Sequence, residues 1–171
     1  MNNAAANAFV MERFRDRLGR GLLLAPVVFV AHWIEENPGF VAWFNAHVTP
    51  GITQESFGTV NTVALVITVL VTLGYWAAQS PALALIAVAW LSFLMLTNAI
   101  FHIAGAIVDR AYVPGLTTAI VLYLPYSVWV AVQVARGRRV TASQLVAAAV
   151  LGGTPMAVHG YRILFLGNRL F

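Results

Sequence analysis

Near the end of the first apolar run, the chain reads FVAHWIEENPGF, residues 29–40. On a helix, His32, Glu35 and Glu36 stand at i, i+3 and i+4 and share one side. Imidazole nitrogen with carboxylate oxygen suits zinc, iron or manganese, and the lack of sulfur disfavours Cu(I). A carboxylate beside such an ion can act as general base toward water, or two can bridge a pair of ions. The chain has six acidic residues in all, and two of them are spent here.

More polar groups recur later in the chain. Asn98 and His102 stand one helical turn apart in NAIFH. Pro114-Gly115 forms a turn, followed at once by Thr117 and Thr118. His159 lies in the last apolar run. The candidate ligands are His32, Glu35, Glu36, His102 and His159, with Glu35 or Glu36 as base. Asn98, Thr118, Pro114 and Gly115 are candidates for orienting ligands or substrate. Each has a plainer reading: histidine as an interfacial group, Asn98 with His102 as interhelical hydrogen bonding, Pro-Gly as a turn. His47 reads as an interfacial residue, and Asp109-Arg110 as a solvated helix end.

These residues need helices to hold them. The 171 residues are 60% hydrophobic and 9% charged, outside the soluble range and within that of integral membrane proteins. The expected fold is an all-α membrane bundle of about five spans plus short amphipathic interfacial helices. Residues 1–20 read as a basic amphipathic segment, and 21–171 as a single transmembrane domain. The spans are expected at about residues 22–36, 53–78, 81–108, 116–135 and 142–166. Residues 40–51, rich in Phe and Trp, are too short to span, so Trp43 and Phe44 are expected at headgroup level. Gln54, Asn61, Thr68 and Tyr75 recur every seventh residue and should face other helices. The first apolar run reads as a retained anchor rather than a cleaved signal.

All basic residues are arginine and cysteine is absent, which excludes Schiff-base lysine, disulfides, thiolate ligands and thiol catalysis. The arginines gather before the first span and between the fourth and fifth, so their charge is a topology signal and not one for nucleic acid. They predict a cytoplasmic N-terminus and an external C-terminus. In that topology His32, Glu35, Glu36, Asn98, His102, Thr117, Thr118 and His159 share the outer membrane level. Ionisable groups at one depth on several helices resemble metal sites in bundle cores.

The three motifs together resemble the HXXEE family of small bacterial membrane proteins. His32 to Glu36 supplies its name, and Asn98 to His102 and Pro114, Gly115, Thr118 match its other two motifs in order. The resemblance implies a shared site and supplies no reaction. The residues favour a metal-dependent membrane enzyme, with zinc ahead of iron or manganese. Its hydrolytic or Lewis-acid chemistry would act on membrane lipids or another lipid-soluble substrate at the outer side. Alternatives are a di-iron oxidase or hydroxylase, a metal-ion or proton transporter, and a non-catalytic lipid- or metal-binding subunit. A homo-oligomer is compatible with all of these. Transport is disfavoured because the opposite halves of the first, third and fifth spans are nearly without polar groups.

Overall fold

The computed structural model describes residues 16–165, apart from the side chains at 159 and 162–165. Most of the expected 1–20 segment, as well as the His159 side chain, lies outside that range. All regular structure among the described residues is helical. In chain order the helices are α1 (Arg17–Glu36), α2 (Phe40–His47), α3 (Gln54–Ala78), α4 (Pro81–Asp109), α5 (Leu116–Arg136) and α6 (Ala142–Phe165). Four of them, α1, α3, α4 and α5, are long and apolar enough to cross a membrane. Within the described side chains α6 is apolar over Ala142–Val158, short of the roughly 20 residues a span takes. The expected fifth span is therefore not counted.

The helix ends follow local rules. Thr53 caps α3 in a reciprocal box with Ser56, and Ser80 caps α4 just before Pro81. α1 is interrupted by a turn at Leu23-Leu24. Pro26 has no N–H to offer Leu22, and the Leu22 carbonyl instead accepts Thr72 Oγ1 at 3.2 Å. In α5 the turn before Pro125 widens to π geometry over Ala119–Tyr123. Proline removes a ladder donor and pushes on the carbonyl four residues back. α4 carries a second π stretch, Ala89–Leu94. There α6 crosses so closely that a Cβ on Gly152 would stand 2.2 Å from the Ala89 carbonyl oxygen.

One half of the bundle is an apolar core of Leu22, Ala25, Val71, Ala84, Val88, Leu91, Val130 and their neighbours. Its few polar side chains are spent inside the protein. Trp90 Nε1 donates to Thr68 Oγ1 at 3.0 Å, and Ser92 Oγ to the Ser127 carbonyl at 2.8 Å. Beyond this core Asp16 accepts Tyr75 OH and Arg139 at 2.9 Å each, tying α1, α3 and the α5–α6 turn together. Of the expected α3 stripe, Thr68 and Tyr75 are fully buried, while Gln54 is exposed at the helix start.

The opposite end is aromatic. Phe40, Trp43 and Phe44 of α2 are buried with Phe57, Phe101 and Val113. Trp43 and Phe44 thus pack against other helices. The cause is a slot on α4: Trp43 lies against Gly105, and its Nε1 donates to Asp109 Oδ2 at 2.6 Å. His47 Nε2 approaches the same carboxylate oxygen at 3.3 Å. Asp109 is therefore a receptor for α2, which the reading of a solvated helix end did not foresee.

Candidate metal centre

His32 and Glu36 project from the last turns of α1, and His102 from the C-terminal half of α4, at the aromatic end. All three are buried, at 3%, 5% and 0% exposure. Glu36 Oε1 lies 3.3 Å from His32 Nε2 and 3.1 Å from His102 Nε2. Neither nitrogen is aligned with the carboxylate as a hydrogen bond, and neither has another partner. Two donors held by one ion at about 2.0–2.1 Å stand roughly 2.9 Å apart on an octahedral edge and about 3.3 Å on a tetrahedral one. The two separations from Glu36, 3.3 and 3.1 Å, fall within that interval.

The state of His32 follows from its other nitrogen. Nδ1 lies 2.8 Å from Thr118 Oγ1. That hydroxyl also reaches Glu35 Oε2 and, at 3.3 Å, the Gly115 carbonyl. Both of these accept, so the single hydroxyl hydrogen goes to one of them and Thr118 must accept from His32. Nδ1 therefore carries a proton, and in the neutral ring Nε2 turns a lone pair toward Glu36. A buried lone pair beside a carboxylate oxygen is unfavourable unless a proton or a metal cation lies between them. His32, Glu36 and His102, with ligand atoms within 4.8 Å of one another, can hold a metal ion.

Glu35 has a different task. Its Oε1 accepts the Thr117 amide at 2.9 Å and the Tyr112 hydroxyl; Oε2 accepts the Thr118 amide at 2.7 Å and the Thr118 hydroxyl. α5 begins after Gly115 with no cap from its own side chains, so a carboxylate from α1 satisfies its first amides and complements its dipole. Tyr112 lies in the loop between spans. Partial burial and the Glu35 carboxylate raise its phenol above the ordinary range. The two adjacent glutamates thus divide: Glu36 joins the histidines, and Glu35 anchors the helix whose Thr118 orients His32.

Gly115, with φ of 96°, seals one side of the cluster. A Cβ there would stand 2.7 Å from His102 Cε1, 2.9 Å from Glu36 Cγ and 3.0 Å from His32 Cε1. Pro114 packs on Gly39 in the turn after α1. Rings complete the enclosure: Tyr123 lies over His32 at 4.1 Å and Phe40 near His102 at 5.6 Å between centroids. Tyr123 belongs to the π turn of α5, a device often found at functional sites. The motifs did not mark Phe40 or Tyr123.

Glu36 opens on the remaining side into a cleft, where Asn98 also lies. Among the described residues, Asn98 Nδ2 meets the sulfur of Met156 at 3.8 Å, and its buried Oδ1 has no partner. The structure thus brings together His32, Glu36 and His102, with Thr118 and Gly115 against them and Asn98 beside Glu36. Glu35 sits behind His32, outside the ligand group, and the His159 side chain is not described.

The model of a family of proteins of unknown function with an HXXEE motif matches residues 23–130. The chain belongs to the HXXEE family. The matched stretch holds the motif, all three cluster residues, and the Gly115 and Thr118 that pack on them. No curated protein and no solved structure matches this HXXEE chain.

Proposed function

We propose that this HXXEE protein is a metal-dependent membrane enzyme with hydrolytic or Lewis-acid chemistry on a lipid-soluble substrate. One observation carries the metal: two buried imidazole nitrogens lie 3.3 and 3.1 Å from one carboxylate oxygen, neither aligned with it as a hydrogen bond. Two histidines and one glutamate are a known catalytic zinc set, so zinc is favoured; the same set also serves single Fe(II) ions in oxygenases. When bound, such an ion supplies Lewis acidity and lowers the pKa of coordinated water. His32, Glu36 and His102 would hold it, with Thr118 fixing the His32 tautomer and Gly115 closing the rear. The Asn98 amide, in the cleft beside Glu36, would orient a polar group. Glu35, engaged by α5, has no part in the chemistry.

The transport alternative loses support from the apolar core, whose buried threonines and serines bond internally. The cluster belongs to the outer side of the membrane by arginine placement, since Arg17, Arg20, Arg136, Arg138 and Arg139 lie at the opposite end. A single cysteine introduced at Arg138 is expected to react with an impermeant maleimide only after the cells are opened. Labelling in intact cells would reverse the orientation.

Elemental analysis of detergent-purified protein tests the centre. About one zinc per chain is expected in wild type after zinc supplementation, and far less in Glu36→Gln and His102→Ala. Stoichiometric iron in place of zinc would favour the oxygenase reading. Wild type without metal under zinc, iron and manganese supplementation would sink both.

A further inference from the structure

Two cavities, of about 310 and 300 Å³, meet at Glu36. They share Val60, Asn61, Asn98 and Met156 as common walls. One arm runs toward the aromatic end, past Phe40, Phe44 and Phe57. The other runs into the bundle, past Phe29, Ala64, Trp90 and Leu94. The order of wall residues along the helices fixes the shape. On α3 the walls run from Ser56 and Phe57, through Val60 and Asn61, to Ala64; at 1.5 Å per residue that is about 12 Å along the axis. On α4 they run from Trp90, through Asn98, to Phe101, about 16 Å. The polar groups Glu36, Asn61 and Asn98 thus sit where the two arms join, with mainly apolar walls in both directions. Val60, on the shared wall, is 66% exposed, so the cleft opens sideways, toward lipid in a membrane.

We infer that the site takes a single-chain, lipid-like molecule whose reacting carbonyl-type group is internal, with one apolar substituent in each arm. This inference rests on the metal-centre reading above. A substrate with a terminal polar group would leave the aromatic arm empty. An internal group puts its oxygen beside Glu36 and the ion, and within reach of the Asn98 amide. The buried Asn98 Oδ1, without a partner among the described residues, can accept a hydrogen bond from a bound molecule that donates one. Apart from Ser56 in the aromatic arm, the walls beyond the middle are mainly apolar, so affinity should come from chain burial and orientation from the middle.

Alkyl hydroxamates, which chelate zinc and carry one chain, are the probe. In zinc-loaded protein, affinity should rise by up to about fourfold for each CH₂ that enters the inner arm, and then level off. Ala64→Trp, filling that arm, should flatten the rise while zinc content and acetohydroxamate affinity stay at wild-type values. Running both proteins in one detergent cancels partition into micelles. An N-butyl group on the longest hydroxamate should tighten binding again, and lose that gain in Phe57→Trp. Affinity independent of chain length in wild type, or N-substitution that abolishes binding, would overturn the two-arm assignment while leaving the ion in place. Wild type that holds no zinc would remove the metal centre itself, and this inference with it.

Discussion

Gly115→Ala is expected to lower metal affinity by about 100-fold or more, the upper end of what removing a partner of a metal ligand does. The added carbon would press on His102, Glu36 and His32 together, at 2.7, 2.9 and 3.0 Å. Two of those are ring atoms that cannot fold away, and all three side chains are buried. The substituted residue must also keep a φ of 96°, where side chains cost roughly 1–3 kcal/mol. Strain alone would reduce stability without singling out the metal. Gly51 provides the control, since its φ of 111° comes with no atom within 4 Å of a built Cβ. Gly51→Ala should therefore lower the thermal midpoint and leave zinc affinity unchanged. Isothermal titration of both variants in the same detergent separates the effects. A Gly115→Ala protein that binds zinc like wild type would show that the ligand group does not meet as described.

Much of this centre is legible in residue spacing, because a helix fixes which side chains lie one turn apart. His32 with Glu36, and Asn98 with His102, are such pairs, and both survive in the folded chain. The division between Glu35 and Glu36 is not legible. Both precede the same stop, and only the positions of α4 and α5 around α1 send one to His102 and the other to Thr117 and Thr118. Gly115 reads as a turn residue, and it is one; its contact with three side chains distant in sequence exists only after α1, α4 and α5 meet. The packing of the aromatic segment is hidden for a related reason. Phe and Trp in a short apolar stretch read as a headgroup belt, and the spacing does not announce the slot at Gly105 and the acceptor at Asp109 that hold Trp43. The four spans were readable from composition and length, and their π turns were not.

Thr118→Val is expected to weaken zinc binding about 10–100-fold, the usual effect of removing a partner that orients a metal-bound histidine, without lowering thermal stability to match. Valine keeps the shape and deletes the hydroxyl. His32 Nδ1–H then loses its acceptor at 2.8 Å, in a ring that is 3% exposed, and an unmet buried donor costs about 1–3 kcal/mol. The ring can recover part of that loss by moving its proton to Nε2, where it faces Glu36 and blocks the ion. Glu35 loses one donor and keeps both amides and Tyr112, so the start of α5 stays anchored. Thr118→Ser, which restores the hydroxyl, should return affinity to near wild type. Glu35→Gln acts at one remove: an amide accepts on only one of its two atoms, so α5 loses part of its cap and stability falls along with zinc affinity. The comparison distinguishes tautomer control from scaffold repair. A valine variant with wild-type zinc affinity would show that Thr118 does not set the state of His32. A serine variant as weak as valine would assign the loss to packing.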